Sequence, residues 1–599
     1  MKRALSLLLA AAQLLPAQAF LRWYETPVIP EARSANSARL ATLLRAGQLR
    51  LTLADAIALA IENNLNLEAA RYGPLLSEWG LKRAEAGGPV RGVPSASAQV
   101  SSVNSGVGVN GSTDSAGLGG GGNSGGGGNS GSASIQQIGA ITPNLDPILQ
   151  NTSTFSHQSE PLANTVVSGT TALVQDSRTY NTTYRQGLLS GGYVQLTSYQ
   201  QSLTENAPTN ALNPAVGPHV DFVLRHSLLR GFGTRLNGRS IQIAKLNVEG
   251  SRENFRQQVS TLVARVVNLY WDVSSGSDFV RMRQSAVDVA QTFLNDTQAR
   301  IELGALARVE LPRAAAELAA RRQDLVIART TLRQQETLLK EALTRTPDPA
   351  VDAAGIIALD SIQVPEADDL PAVRELLSQA QTQRPDVALA AIQKKARELS
   401  TIGTENPLLP SLQVRALTYN RGVAGTPQAS GGSVNPYFVG GYGTAIGQIL
   451  RRNFPSQTLS ASLSANLNNR GAQADYGIEQ LQLRQSEVRD KRNANQLIVD
   501  VSNQAIALRQ ARTRYSAALN TRQLQEQLLK SEQDKFSFGK ASVTALIASQ
   551  RALVVAQTSE AAALASWARA RASLDEVLGK TLDVNHVSFY AALSGTMAP

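Results

Sequence analysis

The chain repeats itself once, and the repeat restricts what it can fold into. Around Leu303-Gly304 and again around Phe538-Gly539, at a constant offset of 235 residues (Gly304 to Gly539), apolar residues recur in the same order. Leu311 matches Leu546, Leu318 matches Leu553, Leu332 matches Trp567, Leu339 matches Leu574 and Leu343 matches Leu578. In the first copy Leu311, Leu318, Leu325, Leu332 and Leu339 stand at strict seven-residue spacing; the second has Leu546, Leu553, Glu560, Trp567 and Leu574 in those seats. A heptad held over such a length marks a helix packed along its axis against others in coiled-coil fashion. Alanines crowd the neighbouring seats, Ala314, Ala315, Ala316, Ala319 and Ala320 in one copy and Ala561, Ala562, Ala563, Ala565 and Ala568 in the other. Alanine favours the helix and lets two backbones come close.

A longer helix precedes each of these. From Arg239 to Leu303 the apolar stripe Phe255, Val259, Leu262, Val263, Val266, Leu269, Tyr270, Val273 keeps a 3.6-residue period with no proline. Arg470 to Phe538 is its counterpart, with Ile498, Val501, Ala505, Leu508, Ala511, Tyr515 and Leu519. About 65 residues of helix reach about 100 Å at 1.5 Å per residue. A globular domain has no use for that length; a structure that must bridge a periplasm does. Each copy is thus a pair of long helices meeting at a turn, where Gly304 and Gly539 supply the left-handed residue that ends a helix.

Strand signals come before each long helix. Val220, Phe222 and Leu224 alternate with His219, Asp221 and Arg225; Leu412, Val414 and Ala416 with Gln413 and Arg415; Leu459, Ala461, Leu463, Ala465 and Leu467 with Ser460, Ser462, Ser464 and Asn466. A period of two with one apolar and one polar face is what a lipid-facing, water-lined barrel strand requires. The remaining first-copy strand has two candidates, Ser97 to Val103 and Tyr193 to Tyr199 after the Ser190-Gly191-Gly192 turn. Asn104 to Ser134 is a glycine- and serine-rich insert that cannot bury enough surface to fold alone; with the polar stretch after it, it reads as a surface loop. Arg421 to Pro455 is the shorter loop of the second copy, and helices Leu53 to Ala86 and Ala372 to Thr401 precede the strand pairs.

The N-terminus reads as an export signal: basic Met1-Lys2-Arg3, apolar Ala4 to Leu15, then Pro16-Ala17-Gln18-Ala19 with the mature chain starting at Phe20. The apolar run is too short for a membrane anchor, which needs about 20 residues. There is no cysteine, which excludes disulfides, thiolate metal sites, cysteine nucleophiles and N-terminal lipidation. The net charge is +10, and +8 once Lys2 and Arg3 leave. The Lys and Arg are spread along helices rather than clustered, so nucleic acid is not an expected partner. These signals divide the chain into a signal peptide (1–19), an N-terminal extension (20–50), a first-repeat helix (51–97), a strand pair with the glycine-rich insert (98–238) and a long helix hairpin (239–346). After a proline-bearing linker (347–371) come a second-repeat helix (372–410), strand pair (411–469), long hairpin (470–580) and C-terminal tail (581–599).

From Leu51 to Gly579 the chain resembles the TolC family of outer-membrane efflux proteins. Leu51-Thr52-Leu53-Ala54-Asp55-Ala56 with Asn63-Asn64-Leu65-Asn66-Leu67 looks like the family's opening helix, and Arg384-Pro385-Asp386-Val387 like its second-copy counterpart. Leu228-Leu229-Arg230-Gly231-Phe232-Gly233 resembles the family's exit from barrel strand into long helix. The resemblance implies a mainly α fold with membrane β: a trimeric α-helical periplasmic barrel, plus four strands per protomer in a shared twelve-stranded outer-membrane β-barrel. Four strands cannot close a barrel, and each unpaired backbone group in lipid costs several kcal/mol; three chains pooling their strands leave no edge. The implied partners are outer-membrane lipid, a periplasmic adaptor (membrane fusion) protein and an inner-membrane transporter of the RND, ABC or MFS type. The adaptor would meet the tips Leu303-Gly304-Ala305 and Phe538-Gly539-Lys540.

The resemblance also places Glu310 at a pore constriction, where three carboxylates around the axis would repel one another and raise each other's pKa. The plain alternative is a glutamate in a first helical turn, where the macrodipole favours it. At the second tip Ala545 and Ala548 stand where the family pattern is acidic, so a double acidic ring is absent. Other candidates fail. Gly539-Lys540 with Ser542 lacks the first glycine of a phosphate loop, which is Asp534 here. His157, His219, His226 and His586 are scattered, and His219 and His226, seven apart on a strand, face opposite ways. Asp221, His219 and Ser227 are a chance gathering on a polar strand face rather than a triad. The expected function is passive conduction in tripartite efflux or type I secretion, with no catalysis and no cofactor. The rival readings are a periplasmic coiled-coil adaptor or scaffold without a pore, and a periplasmic hydrolase.

Overall fold

Two helices of 64 and 68 residues form the backbone of the helical body. The computed structural model describes residues 24–88, 142–166, 168–304, 306–365, 370–429, 432–538 and 540–597. The expected signal segment 1–19, the candidate strand Ser97 to Val103, the insert Asn104 to Ser134, Ala305 and Gly539 lie outside them. In chain order the first part comprises α1 (Ala38–Leu43), β1 (Leu44–Arg45), β2 (Gln48–Leu51), α2 (Leu53–Asn63), α3 (Leu65–Glu85), β3 (Ile148–Pro161), β4 (Ala172–Leu188), β5 (Gly192–Glu205), β6 (Leu212–Val216), β7 (His219–Ser227), α4 (Thr234–Asn237), α5 (Arg239–Glu302) and α6 (Glu310–Leu343). The second comprises α7 (Pro349–Ala353), β8 (Gly355–Ala358), α8 (Val373–Gln383), α9 (Pro385–Glu405), β9 (Ser411–Arg421), β10 (Ala424–Pro427), α10 (Tyr442–Leu450), β11 (Pro455–Ser464), α11 (Arg470–Ser537), α12 (Val543–Val577), α13 (Thr581–Val584) and α14 (Phe589–Ser594).

The long helices pack as their heptads require. α6 lies against α5 and α12 against α11, and the shorter α3 and α9 pack beside α5 and α11. Phe255, Val259, Val263, Val266, Tyr270 and Val273 are buried along α5. On α11 Val501, Ala505, Leu508 and Ala511 are buried, but Leu497 takes the seat expected of Ile498, which is exposed. Glu560, charged in an apolar seat, is matched by Arg522 of α11 at 2.6 Å. Among the described residues no helix is long and apolar enough to cross a membrane.

The two single helices expected over Leu53 to Ala86 and Ala372 to Thr401 are each broken in two, and the family motifs are the breaks. Asn64 leaves the helix (ψ 122) and its side chain accepts from the Leu67 amide, capping α3. Pro385 opens α9, and a residue before proline is pushed out of the helical region, as Arg384 is (ψ 125). Asn63 also donates to the Leu343 carbonyl at 2.9 Å, and Arg384 to the Val577 carbonyl at 3.0 Å, so each break is tied to the end of a hairpin helix.

The N-terminal extension, linker and tail form one unit. β2 pairs antiparallel with β1 and parallel with β8. Leu49 and Leu51 of β2, Val351 and Ile356 of the linker and Leu582, Val587 and Ala592 of the tail share a core with Phe255 to Val273 of α5. Arg71 donates to the Ala592 and Ile61 carbonyls, at 2.9 and 2.6 Å.

Above the helices lies a sheet whose long strands run β3-β4-β5-β7-β9-β11, every pair antiparallel. β5, β7, β9 and β11 are the four strands implied by the resemblance, and Tyr193 to Tyr199 falls in β5. β11 stops at Ser464, so Ala465 and Leu467 lie beyond it. The polar stretch expected as loop after Ser134 instead holds the β3–β4 hairpin. Its alternation escapes notice because Ser, Thr, Asn and Gln occupy most seats on both faces. The Arg421 to Pro455 loop likewise holds β10 and α10. The Ser190-Gly191-Gly192 turn links β4 to β5; Gly191 has φ +104, and a Cβ there would collide with the Gly231 carbonyl at the β7–α4 exit.

Registers carry one face across all six long strands. Leu149, Tyr184, Leu196 and Phe222 align, as do Val194, Leu224, Ala416 and Leu459, then Val414 with Ala461 and Leu412 with Leu463. The opposite face carries Gln150, Thr152 and Thr154, then Thr183 and Arg185, Gln195 and Thr197, Asp221 and Arg225, Gln413 and Arg415, Ser460 and Ser462.

Candidate functional site at the helix tips

The far ends of the two hairpins meet. α5 ends at Glu302; Leu303 donates to the Ala299 carbonyl at 3.1 Å, and Gly304 takes φ +73, the left-handed conformation that closes a helix. At the second tip the Lys540 amide reaches back to the Lys535 carbonyl at 2.8 Å, and Ser542 caps α12 by accepting from the Ala545 amide at 3.2 Å. Ser542 thus serves a helix start, not a phosphate. Leu303 is 82% and Phe538 78% exposed, so each tip presents one large apolar side chain to solvent. Behind them Phe293, Ala314, Phe536, Val543, Leu546 and Ile547 form a buried cluster drawn from both hairpins. The Phe293 and Phe536 rings are 6.4 Å apart, and the Arg300 guanidinium lies 4.7 Å from the Phe536 ring centre.

Glu310 is the first residue of α6 and is half-buried. Arg313 donates to its Oε1 at 2.8 Å. Its Oε2 is enclosed without a hydrogen-bond partner. Ala545 is half-buried and Ala548 exposed.

The residue the sequence reasoning missed lies two turns further in. Glu317 of α6 is 4% exposed and accepts three charge-assisted hydrogen bonds from two arginines: Arg551 of α12 approaches Oε2 at 2.8 Å through Nε and 2.5 Å through its terminal nitrogen, and Arg321 approaches Oε1 at 2.8 Å. Arg321 also reaches Asp324 at 3.0 Å, and Arg283 of α5 reaches Asp324 at 3.3 Å. One carboxylate therefore ties α6 to α12. Burial by itself would raise the Glu317 pKa, but the Arg551 and Arg321 bonds outweigh it and hold the group below its ordinary value of 4.5. A depressed folded-state pKa gives a contribution that is complete above the unfolded value and lost as pH falls through the folded one. The latch is thus intact at neutral pH and released only below about 4.5. The sequence signal was the Glu317–Arg321 spacing of four; Arg551, 234 residues away, has none.

Arg551→Ala is expected to loosen the tips while leaving Glu317 with Arg321. The Arg551 side chain is more than half exposed, so the cost is about 1–2 kcal/mol rather than that of a fully buried pair, a factor of roughly 5–30 in local opening. Hydrogen exchange over the first turns of α12 measures it; unchanged protection there rules the latch out.

The other flagged residues do not form a site. His219 stacks on Tyr199 at 4.5 Å between ring centres, with Asp221 at 3.7 Å, while Ser227 stands at the opposite end of β7, about 27 Å along an extended strand. His226 bonds Ser190 at 2.8 Å on the other face. His157 pairs with Asp176 at 2.7 Å near the far end of the β3–β4 hairpin.

Duplicated helix hairpins about 100 Å long, surmounted by an antiparallel sheet with one apolar and one polar face, are the fold seen in solved outer-membrane channels. Residues 233–345, which hold α4, α5 and α6, match the family model described as outer membrane efflux protein. The chain is similar in structure to the Campylobacter jejuni CmeC outer membrane channel (TM-score 0.51, 13% identity, 93% of this chain and 94% of that one). It is similar to the outer-membrane channel OprN (0.53, 12%, 93% and 98%) and to the outer membrane protein VceC from Vibrio cholerae (0.52, 10%, 88% and 96%). At these identities the likeness establishes the fold. No curated protein matches by sequence.

Proposed function

We propose that three copies of this protein form an outer-membrane duct that passively conducts substrates from an inner-membrane pump, through an adaptor, across the periplasm and outer membrane. The observation that carries the reading is the continuous apolar face across the long strands, set on a helical body about 100 Å long. A second feature supports self-association. On α11 Leu481, Val488, Val499, Ile506, Leu524 and Leu528 are all exposed in the lone chain. At 3.6 residues per turn all six fall within an arc of about 40°. An apolar stripe running the length of a helix marks a packing surface, and neighbouring protomers of a helical tunnel would cover it. The transport step needs no bond making, so the chain is read as a conduit rather than an enzyme, with the pump supplying energy.

In this reading the exposed Leu303 and Phe538, with Gly304, Ala305, Gly539 and Lys540, dock the adaptor. Glu310 lines the constriction, its charge partly offset by Arg313 within each protomer. Conductance of purified trimers in planar bilayers tests both points. A low resting conductance that rises in Glu310→Ala is expected. A protein that yields no channels defeats the duct; channels indifferent to Glu310→Ala defeat the constriction alone.

A further inference from the structure

β3 and β4 raise a question of closure. β4 occupies the outer edge of β5 along its whole length, from Leu188 opposite Gly192 to Gln175 opposite Glu205. β5 is therefore not free to pair with a neighbouring protomer, and a twelve-stranded ring of β5, β7, β9 and β11 would have to break that ladder. Unpaired backbone groups in lipid cost several kcal/mol each. Among the described residues the long-strand edges left open are those of β3 and β11.

The hairpin has the build of barrel wall. β3 has 14 residues and β4 has 17, enough to cross a bilayer at the usual tilt, for which about 9–11 suffice. Leu149, Phe155, Tyr180 and Tyr184 share the face that carries Leu196, Phe222, Leu224 and Leu459, and the Phe155 and Tyr180 rings meet edge to face at 5.9 Å. Gln150, Thr152, Thr154, Thr179, Asn181 and Thr183 continue the polar face. Direction fits as well. β3 starts beside the helical end, where Gly87 bridges Asn144 and the Gly187 amide bonds the Asn144 carbonyl at 3.0 Å, and runs away from it. β11 runs toward the helical end, into α11. Set side by side, they are antiparallel, like every other long-strand pair in the sheet.

We propose that β3 is the closing strand of the assembly: it pairs antiparallel with β11 of a second copy, so that three protomers contribute six strands each to an eighteen-stranded barrel. The inference rests on the trimeric duct reading. Barrel diameter grows roughly in proportion to strand number, so the outlet is about 1.5-fold wider than a twelve-stranded one.

The absence of native cysteine allows a direct test. Thr152→Cys and Thr154→Cys on β3 are each combined with Ser460→Cys or Ser462→Cys on β11; the control set combines Gln195→Cys or Thr197→Cys on β5 with the same two β11 positions. Oxidation in isolated outer membranes is expected to convert most of at least one β3–β11 variant into linked dimers and trimers on denaturing gels, with the control set unlinked. Linkage in the β5–β11 set, or none in the β3–β11 set while the native mass remains trimeric, overturns the proposal and spares the duct. A monomeric mass overturns the trimer reading itself. Should the variants fail to assemble, electron cryomicroscopy of wild-type trimers counts the strands: eighteen is expected, and twelve refutes it.

Discussion

Leu459→Arg is expected to keep the protein from accumulating as a membrane-inserted trimer, while Ser460→Arg, one residue along, leaves assembly intact. The two side chains leave β11 on opposite faces. Leu459, 77% exposed, aligns with Ala416, Leu224 and Val194 on the apolar face. Ser460 aligns with Arg415 and Arg225 on the polar one. An arginine facing the bilayer midplane costs about 2–4 kcal/mol per strand, hence roughly 6–12 kcal/mol for three copies, whereas a lumen position tolerates charge. The amount of unheated trimer recovered from outer membranes on a denaturing gel reads the difference. Equal recovery of both variants would mean that the sheet does not face lipid as its registers imply.

Tyr270→Ala is expected to cost about 3–5 kcal/mol, the range for removing a buried aromatic side chain, and Tyr270→Phe about 1–3 kcal/mol, the penalty of stranding buried polar partners. Tyr270 is fully buried at the middle of α5. Its hydroxyl stands 2.9 Å from Asp360 Oδ2 and 3.1 Å from the Leu51 carbonyl as donor, and accepts the Asp360 amide at 3.2 Å. Asp360 Oδ2 also accepts the Leu53 amide at 2.6 Å. One phenol therefore clamps β2, the segment after β8 and the start of α2 onto the long helix. Burial pushes its pKa above the ordinary tyrosine range, which keeps the proton it must donate. The loss should appear first as faster hydrogen exchange in β2 and β8, then as a lower melting temperature, in the order Ala, Phe, wild type. Wild-type exchange in β2 and β8 of both variants would show that the clamp is not what holds this unit together.

Periodic features are legible because periodicity is local. Heptads from Leu311 to Leu339 and the stripe from Phe255 to Val273 depend only on which side of a helix a residue occupies, so the hairpins, their lengths and the turn at Gly304 follow from the linear order. The same holds for Val220 to Leu224 and Leu459 to Leu463, where one face must be apolar and the next residue polar. The β3–β4 hairpin escaped that logic: with Ser, Thr, Asn and Gln on both faces, its apolar face becomes visible only when Tyr184 is set beside Leu196 and Phe222 by strand register. Nor do the extension, linker and tail show a common pattern, since their shared core joins Leu49, Ile356 and Leu582 from remote parts of the chain.

The tips divide the same way. The turn at Leu303-Gly304 and the acidic start of α6 at Glu310 are local, and the sequence alone determined them, together with the duplication and the long helices. The Glu317–Arg551 latch was decided only by tertiary structure. A buried carboxylate is stable only beside its counter-charge, and while Arg321 supplies part of it from the same helix, Arg551 comes from the other repeat, brought within 2.5 Å by the packing of two hairpins that no local pattern records.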